Sequence, residues 1–111
     1  MDIYSEEYEY TAILQTVVTK ESSKFDLRKR YRIGVGPIII GRGESCDIVI
    51  PDMYLSQEHL KIYCKKGVWH ISDMNSKNGT YVNDVPVKGK QILDDGDEIS
   101  FGDIKFMFRY E

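Results

Sequence analysis

Three short clusters along the chain carry side chains suited to holding an anion. Gly41-Arg42 closes the apolar run 37–40, Ser56-Gln57-Glu58-His59 follows a stretch poor in strand formers, and Lys77-Asn78-Gly79-Thr80 opens a later strand after Ser76. A dianionic phosphate is matched by a guanidinium, a hydroxyl and amide donors that converge from separate loops. Each charge-assisted hydrogen bond of that kind adds about 1.5 to 3 kcal/mol. Three of them support binding near the micromolar level, about −8 kcal/mol, once ordering costs are subtracted. Arg42, Ser56 and Asn78 are the central candidates, and Gln57 and Lys77 complete the expected binding set beside them.

Other chemistries fit these residues less well. Ser56 and His59 with Asp47 or Asp52 contain the types of a hydrolase triad, but no strand-Ser-helix elbow surrounds the serine, and a Ser three residues before its His has no reason to be activated. Cys46, His59, Cys64 and His70 lack the paired spacing of a structural zinc site, so no metal is expected. Gly34-x-Gly36 before Pro37 is too short for a dinucleotide fingerprint and no helix follows it; no cofactor is expected either. With two cysteines and no export signal, the reading is two free, buried thiols.

The bulk properties bound the partners. A chain of 111 residues has room for one domain, and 41% hydrophobic with 30% charged residues is a globular composition. A net charge of −3 does not supply the broad basic face a nucleic acid needs, although a few donors can still make a locally positive cleft. The basic run Arg28-Lys29-Arg30-Tyr31-Arg32 lies in one predicted strand, whose alternate residues face opposite ways, and reads as a solvated strand face. No apolar run reaches the roughly 18 to 20 residues that span a bilayer, and residues 1–10 form an acidic leader where a signal peptide would be basic. The expectation is a cytoplasmic protein with no membrane partner.

The elements that must position the candidate residues are strands. Segments rich in Val, Ile, Tyr, Phe and Thr recur between Gly, Asp, Asn and Pro clusters. Strands are expected near 11–19, 25–33, 37–40, 47–50, 59–64, 68–72, 80–82, 85–87, 98–101 and 104–109. Alternation places Leu60, Ile62 and Cys64 on the core side and His59, Lys61 and Tyr63 outward. Lys65-Lys66-Gly67, Asn83-Asp84 and Gly102-Asp103 supply hairpin turns. Trp69, Phe101, Phe106 and Phe108 alternate on strands as core rather than as a base-stacking platform. Many short strands with tight turns predict an all-β sandwich, and residues 43–58, with one brief strand, must give exposed loops.

The ordered set Gly41-Arg42, Asp47-Ile48, Ser56 to His59, Asp73, Asn78-Gly79, Asn83 and Gly96-Asp97 before Ile99-Ser100-Phe101-Gly102 resembles the forkhead-associated (FHA) domain family over roughly residues 11 to 110. The resemblance implies about eleven strands in two sheets with binding loops at one end, an FHA domain over 11–111 behind the leader, and recognition of phosphothreonine in preference to phosphoserine. Carried over by position, Arg42 would pair with the phosphate or the neighbouring peptide backbone, Ser56 would donate its hydroxyl, and Asn78 would hold the peptide main chain. His59 would be a buried brace, and Gly41 and Gly79 would be turn residues whose lack of a Cβ permits the tight backbone the loops need. The chain departs from the family at Gln57, where others carry Asn or Arg, at Lys77, where Thr or Ser is common, and at Tyr54, where some use Arg to read an acidic residue three positions past the phosphothreonine.

The function so implied is a noncatalytic adaptor in Ser/Thr kinase signalling that grips a phosphothreonine-containing protein or peptide. Gln57 and Lys77 keep a phosphate-independent interaction module on the same fold as the alternative. The acidic, Tyr- and Ser-bearing leader raises self-docking of a phosphorylated tail as a hypothesis. Ending one residue past a terminal strand is the pattern of a piece of a longer protein.

Overall fold

The computed structural model describes residues 10–17 and 29–111, and these form eleven strands and no helix. In chain order they are β1 (Ala12–Thr16), β2 (Arg30–Ile33), β3 (Ile38–Gly41), β4 (Ile48–Val49), β5 (Leu60–Lys65), β6 (Val68–Asp73), β7 (Tyr81–Val82), β8 (Val85–Pro86), β9 (Lys90–Leu93), β10 (Glu98–Phe101) and β11 (Ile104–Tyr110). The leader through Glu9, the predicted end of the first strand at 18–19 and the predicted start of the second at 25–28 lie outside the described residues.

The strands make two sheets. One has six strands in the order β2-β1-β11-β10-β7-β8, the other five in the order β4-β3-β5-β6-β9. The buried faces meet in one core that includes Leu14, Ile40, Ile62, Ile71, Ile99, Phe101, Phe106 and Phe108. Trp69 lies edge-on to Phe108 at 5.6 Å, and Phe101 lies 5.7 Å from Phe106, so the aromatic residues expected inside tie the sheets together. Cys46 and Cys64 are buried and not joined in a disulfide.

Turn chemistry fixes the hairpins. Lys66 and Gly67 both have positive φ (52° and 77°), as do Asn83 and Asp84 (50° and 66°), which is the two-residue turn whose twist matches paired strands. The β5–β6 register then runs from Leu60 opposite Asp73 to Lys65 opposite Val68, with Leu60, Ile62 and Cys64 inward and Lys61 and Tyr63 outward. His59 departs from the alternation. It stands just before β5, its amide donates to the Ile40 carbonyl, and its ring is fully buried 5.5 Å from Phe101, as the family resemblance implied.

Two features were not foreseen. β9 is a strand because it pairs with β6, Trp69 opposite Leu93 and Ser72 opposite Lys90. β3 and β4 are parallel neighbours across only a short loop, a connection that normally needs a long crossover. Asp47 makes it possible: its amide donates to the Ile39 carbonyl while its carboxylate accepts from the Ile39 amide at 2.8 Å.

Candidate functional site

The loops at one end of the sandwich are laced to the segment 55–59. The amides of Arg42 and Gly43 donate to the carbonyls of Ser56 (3.0 Å) and Gln57 (2.9 Å), and the Cys46 thiol donates to the Gln57 carbonyl as well. Burial pushes the Cys46 thiol pKa up, which keeps it protonated for that bond. Gly41 is required by space, its lack of a Cβ permitting the tight backbone approach expected at this position. A Cβ there would stand 2.4 Å from the Gln57 carbonyl oxygen and 2.9 Å from that of Ser56.

Arg42 is exposed yet held. Its Nε donates to the Leu55 carbonyl at 3.1 Å, and Gln57, with its amide in the orientation that satisfies its neighbours, accepts from both terminal nitrogens at 3.1 and 3.2 Å. A guanidinium has five N–H donors, so those three bonds leave two for a ligand. Gln57, expected among the binding residues, has its side-chain oxygen taken up by Arg42 and so orients the arginine.

Ser56 joins the second loop to the third. Its Oγ accepts the Lys77 amide at 3.1 Å, and its amide donates to His59 Nδ1 at 3.1 Å. Because Oγ already accepts, the hydroxyl hydrogen is free to donate outward. His59 Nε2 lies 2.8 Å from the Gly79 carbonyl. A carbonyl can only accept, and Nδ1 is itself an acceptor here, so the proton sits on Nε2 and the ring bridges the Ser56 loop to the Asn78 loop. Asn78 Nδ2 donates to the Tyr54 carbonyl at 2.7 Å, which leaves Oδ1 and the second amide hydrogen unused. The Lys77 ammonium is exposed beside them.

The third loop owes its shape to a residue that sequence reasoning matched but gave no role. Asp73 accepts from the Ser76 hydroxyl, the Ser76 amide (2.9 Å) and the Thr80 hydroxyl (2.7 Å), and Ser76 Oγ in turn accepts the Gly79 amide. Burial, the largest single influence, pushes the Asp73 carboxyl up. The hydrogen bonds from Ser76 and Thr80, with His59 nearby, outweigh it and hold the pKa below the ordinary aspartate value. The Asp-x-x-Ser spacing is the available signal, since an Asp that caps the amide three residues on is a common turn device. Gly79 adds a φ of +88°, so here the expectation of a turn glycine holds.

Beside Asn78 a hollow of about 260 Å³ is lined by Tyr54, Tyr81, Ser100, Phe101, Gly102 and Asp103, with no cation among them.

A two-sheet sandwich that presents spare donors from interstrand loops at one end is, as a class, a loop-rim binding module. The family model for the FHA domain matches residues 38–102, and the chain belongs to the FHA domain family. It is 40% identical over 81 residues to the FHA domain-containing protein FhaA of Mycobacterium tuberculosis, covering 73% of this chain and 15% of that protein. It is 37% identical over 68 residues to the oxoglutarate dehydrogenase inhibitor of Corynebacterium efficiens, covering 61% and 47%. The chain thus spans less than half the length of these relatives. Among solved structures, the FhaA FHA domain complexed with the intracellular domain of Rv3910 superposes with a TM-score of 0.74 at 34% identity, covering 88% of this chain and 99% of that one. An FHA domain from a structural and functional study of phosphothreonine-dependent FHA interactions gives 0.75 at 33% identity, covering 89% and 95%.

Proposed function

We propose that the loop rim binds a phosphothreonine-bearing segment of a partner protein, and that the module is a noncatalytic adaptor in Ser/Thr kinase signalling. The observation that carries this reading is the state of the polar groups at the rim. The carbonyls of Leu55, Ser56 and Gln57 and the Ser56 oxygen are taken up by internal donors, while hydrogens of Arg42, Ser56 and Asn78 remain. A surface that spends its backbone acceptors internally and keeps side-chain donors suits an anion. The complexes of FhaA with an intracellular domain and of Mycobacterium tuberculosis EmbR with a low-affinity phosphopeptide support the reading by kinship.

In this arrangement Arg42 and the Ser56 hydroxyl contact the phosphate, the Lys77 ammonium adds a mobile charge, and Asn78 holds the main chain. Gln57 acts through Arg42 rather than on the ligand. The hollow beside Asn78 receives a side chain farther along the peptide. With Tyr54, Tyr81 and Phe101 in its wall and Asp103 at its edge, it favours an apolar residue over an acidic one.

The test is calorimetry with one peptide carrying threonine, phosphothreonine or phosphoserine. Binding only of the phosphorylated forms, with phosphoserine weaker by about 1 to 3 kcal/mol for the lost methyl, is expected. Equal affinity for threonine and phosphothreonine peptides overturns the proposal and leaves the phosphate-independent module.

A further inference from the structure

We propose that the outward face of the five-stranded sheet is a second docking surface, for an acidic polypeptide segment that carries an apolar side chain. The face lies on β5, β6 and β9, and its centre is one row across three strands. Tyr63 stands opposite His70, and His70 opposite Ile92. The rings of Tyr63 and His70 stack face to face at 4.9 Å with 10° between their planes, which makes a rigid aromatic ridge, and His70 Nδ1 is buried without a hydrogen-bond partner. Ile92 is 55% exposed at the end of the row. On the other side of Tyr63, a hollow of about 330 Å³ opens between Pro37, Lys61 and Lys65. The row lies three residues along β5 from the rim, about 10 Å away, so the two surfaces are separate.

Charge selects the occupant. The outward positions of β5, β6 and β9 carry Lys61, Lys65 and Lys90 and no carboxylate, in a chain whose net charge is −3. None of these lysines has a carboxylate partner among the described residues, although Lys61 Nζ rests 5.9 Å from the centre of the Tyr63 ring. A half-solvated antiparallel sheet ordinarily turns a polar face to water, and an exposed Ile on an edge strand invites pairing with other chains. Pairing with the same face of a second copy would bring lysine against lysine. Extended polyanions would meet the net negative charge of the whole molecule. A short acidic segment avoids both penalties: its carboxylates reach Lys61, Lys65 and Lys90 while an aliphatic or aromatic side chain enters the hollow beside Tyr63.

The experiment is a two-dimensional NMR titration of the full chain with an unphosphorylated Glu-rich decapeptide bearing one central Phe. Heparin and phosphatidylserine vesicles serve as parallel probes. The expected result is saturable amide shifts confined to β5, β6 and β9. They should weaken by about tenfold in Lys61→Glu/Lys90→Glu and in Ile92→Ser, all three positions being solvent-facing. Phosphothreonine-peptide affinity should stay unchanged in those variants, so failure here is distinguishable from failure of the rim. Shifts absent from that face, shifts insensitive to the substitutions, or tighter binding of heparin or vesicles than of the peptide would each overturn the proposal.

Discussion

Replacing His59 with Phe removes the bridge between two binding loops while keeping a ring against Phe101. Two polar groups then lose their partners, the Ser56 amide and the Gly79 carbonyl. An unsatisfied group costs about 1 to 3 kcal/mol when buried. Both lie at the edge of the core, where water regains part of that cost, so the working value is about 2 to 4 kcal/mol in total. Against a native stability of about 5 to 15 kcal/mol that is a large loss, but the domain should stay folded at 25 °C. Each kcal/mol corresponds to about 4 to 8 °C in Tm for a domain near this size. Binding should suffer separately, because Ser56 and the Lys77-Asn78 pair would no longer share one anchor. Urea denaturation and calorimetry on His59→Phe should give a midpoint shift with unchanged m-value and a phosphopeptide affinity weakened about tenfold or more. A stability loss under about 0.5 kcal/mol together with unchanged affinity would refute the bridging argument.

Gln57→Glu puts a carboxylate on the Arg42 guanidinium and should weaken phosphopeptide binding more than Gln57→Ala does, by about fivefold or more, with a flatter dependence on salt. Calorimetry at two salt concentrations checks the order of the two variants. Gly41→Ala forces a methyl onto the Gln57 and Ser56 carbonyls and should cost about 1 to 3 kcal/mol in chemical denaturation and lower affinity as well. Asp73 has its folded-state pKa depressed, so its contribution is complete above the ordinary aspartate value and is lost as pH falls through the lower folded value. Thermal melts from neutral to strongly acidic pH should therefore show a smaller acid loss in Asp73→Asn than in the parent chain.

The sandwich was legible in the sequence where local chemistry decides structure. Leu60, Ile62 and Cys64 alternate because one face of β5 is buried, and Asn83-Asp84 makes its turn because both residues tolerate positive φ. β9 escaped notice because it is an edge strand. Only Gln91 and Leu93 of Lys90–Leu93 face the other sheet, so no apolar rhythm marks it, and its strand character comes from β6, distant in sequence. The sheet order, with β1 between β2 and β11, is likewise a long-range matter that periodicity does not encode. At the rim, the ordered motifs named Arg42, Ser56 and Asn78, and hydrogen bonds link their loops. What the motifs could not convey is direction: that Gln57 faces Arg42, that Gly41 lies against the Gln57 and Ser56 carbonyls, and that Asp73 shapes the loop carrying Lys77 and Asn78.

The residues that carry the spare donors at the rim can be watched directly through their own N–H groups. In a ¹⁵N NMR titration with a phosphothreonine peptide, the Arg42 Nε–H, the Asn78 side-chain amide and the backbone amides of Ser56 and Lys77 should shift together and saturate at one affinity, and the unmodified peptide should leave them still. Equal shifts from both peptides, or the largest shifts on residues remote from those loops, would contradict the account.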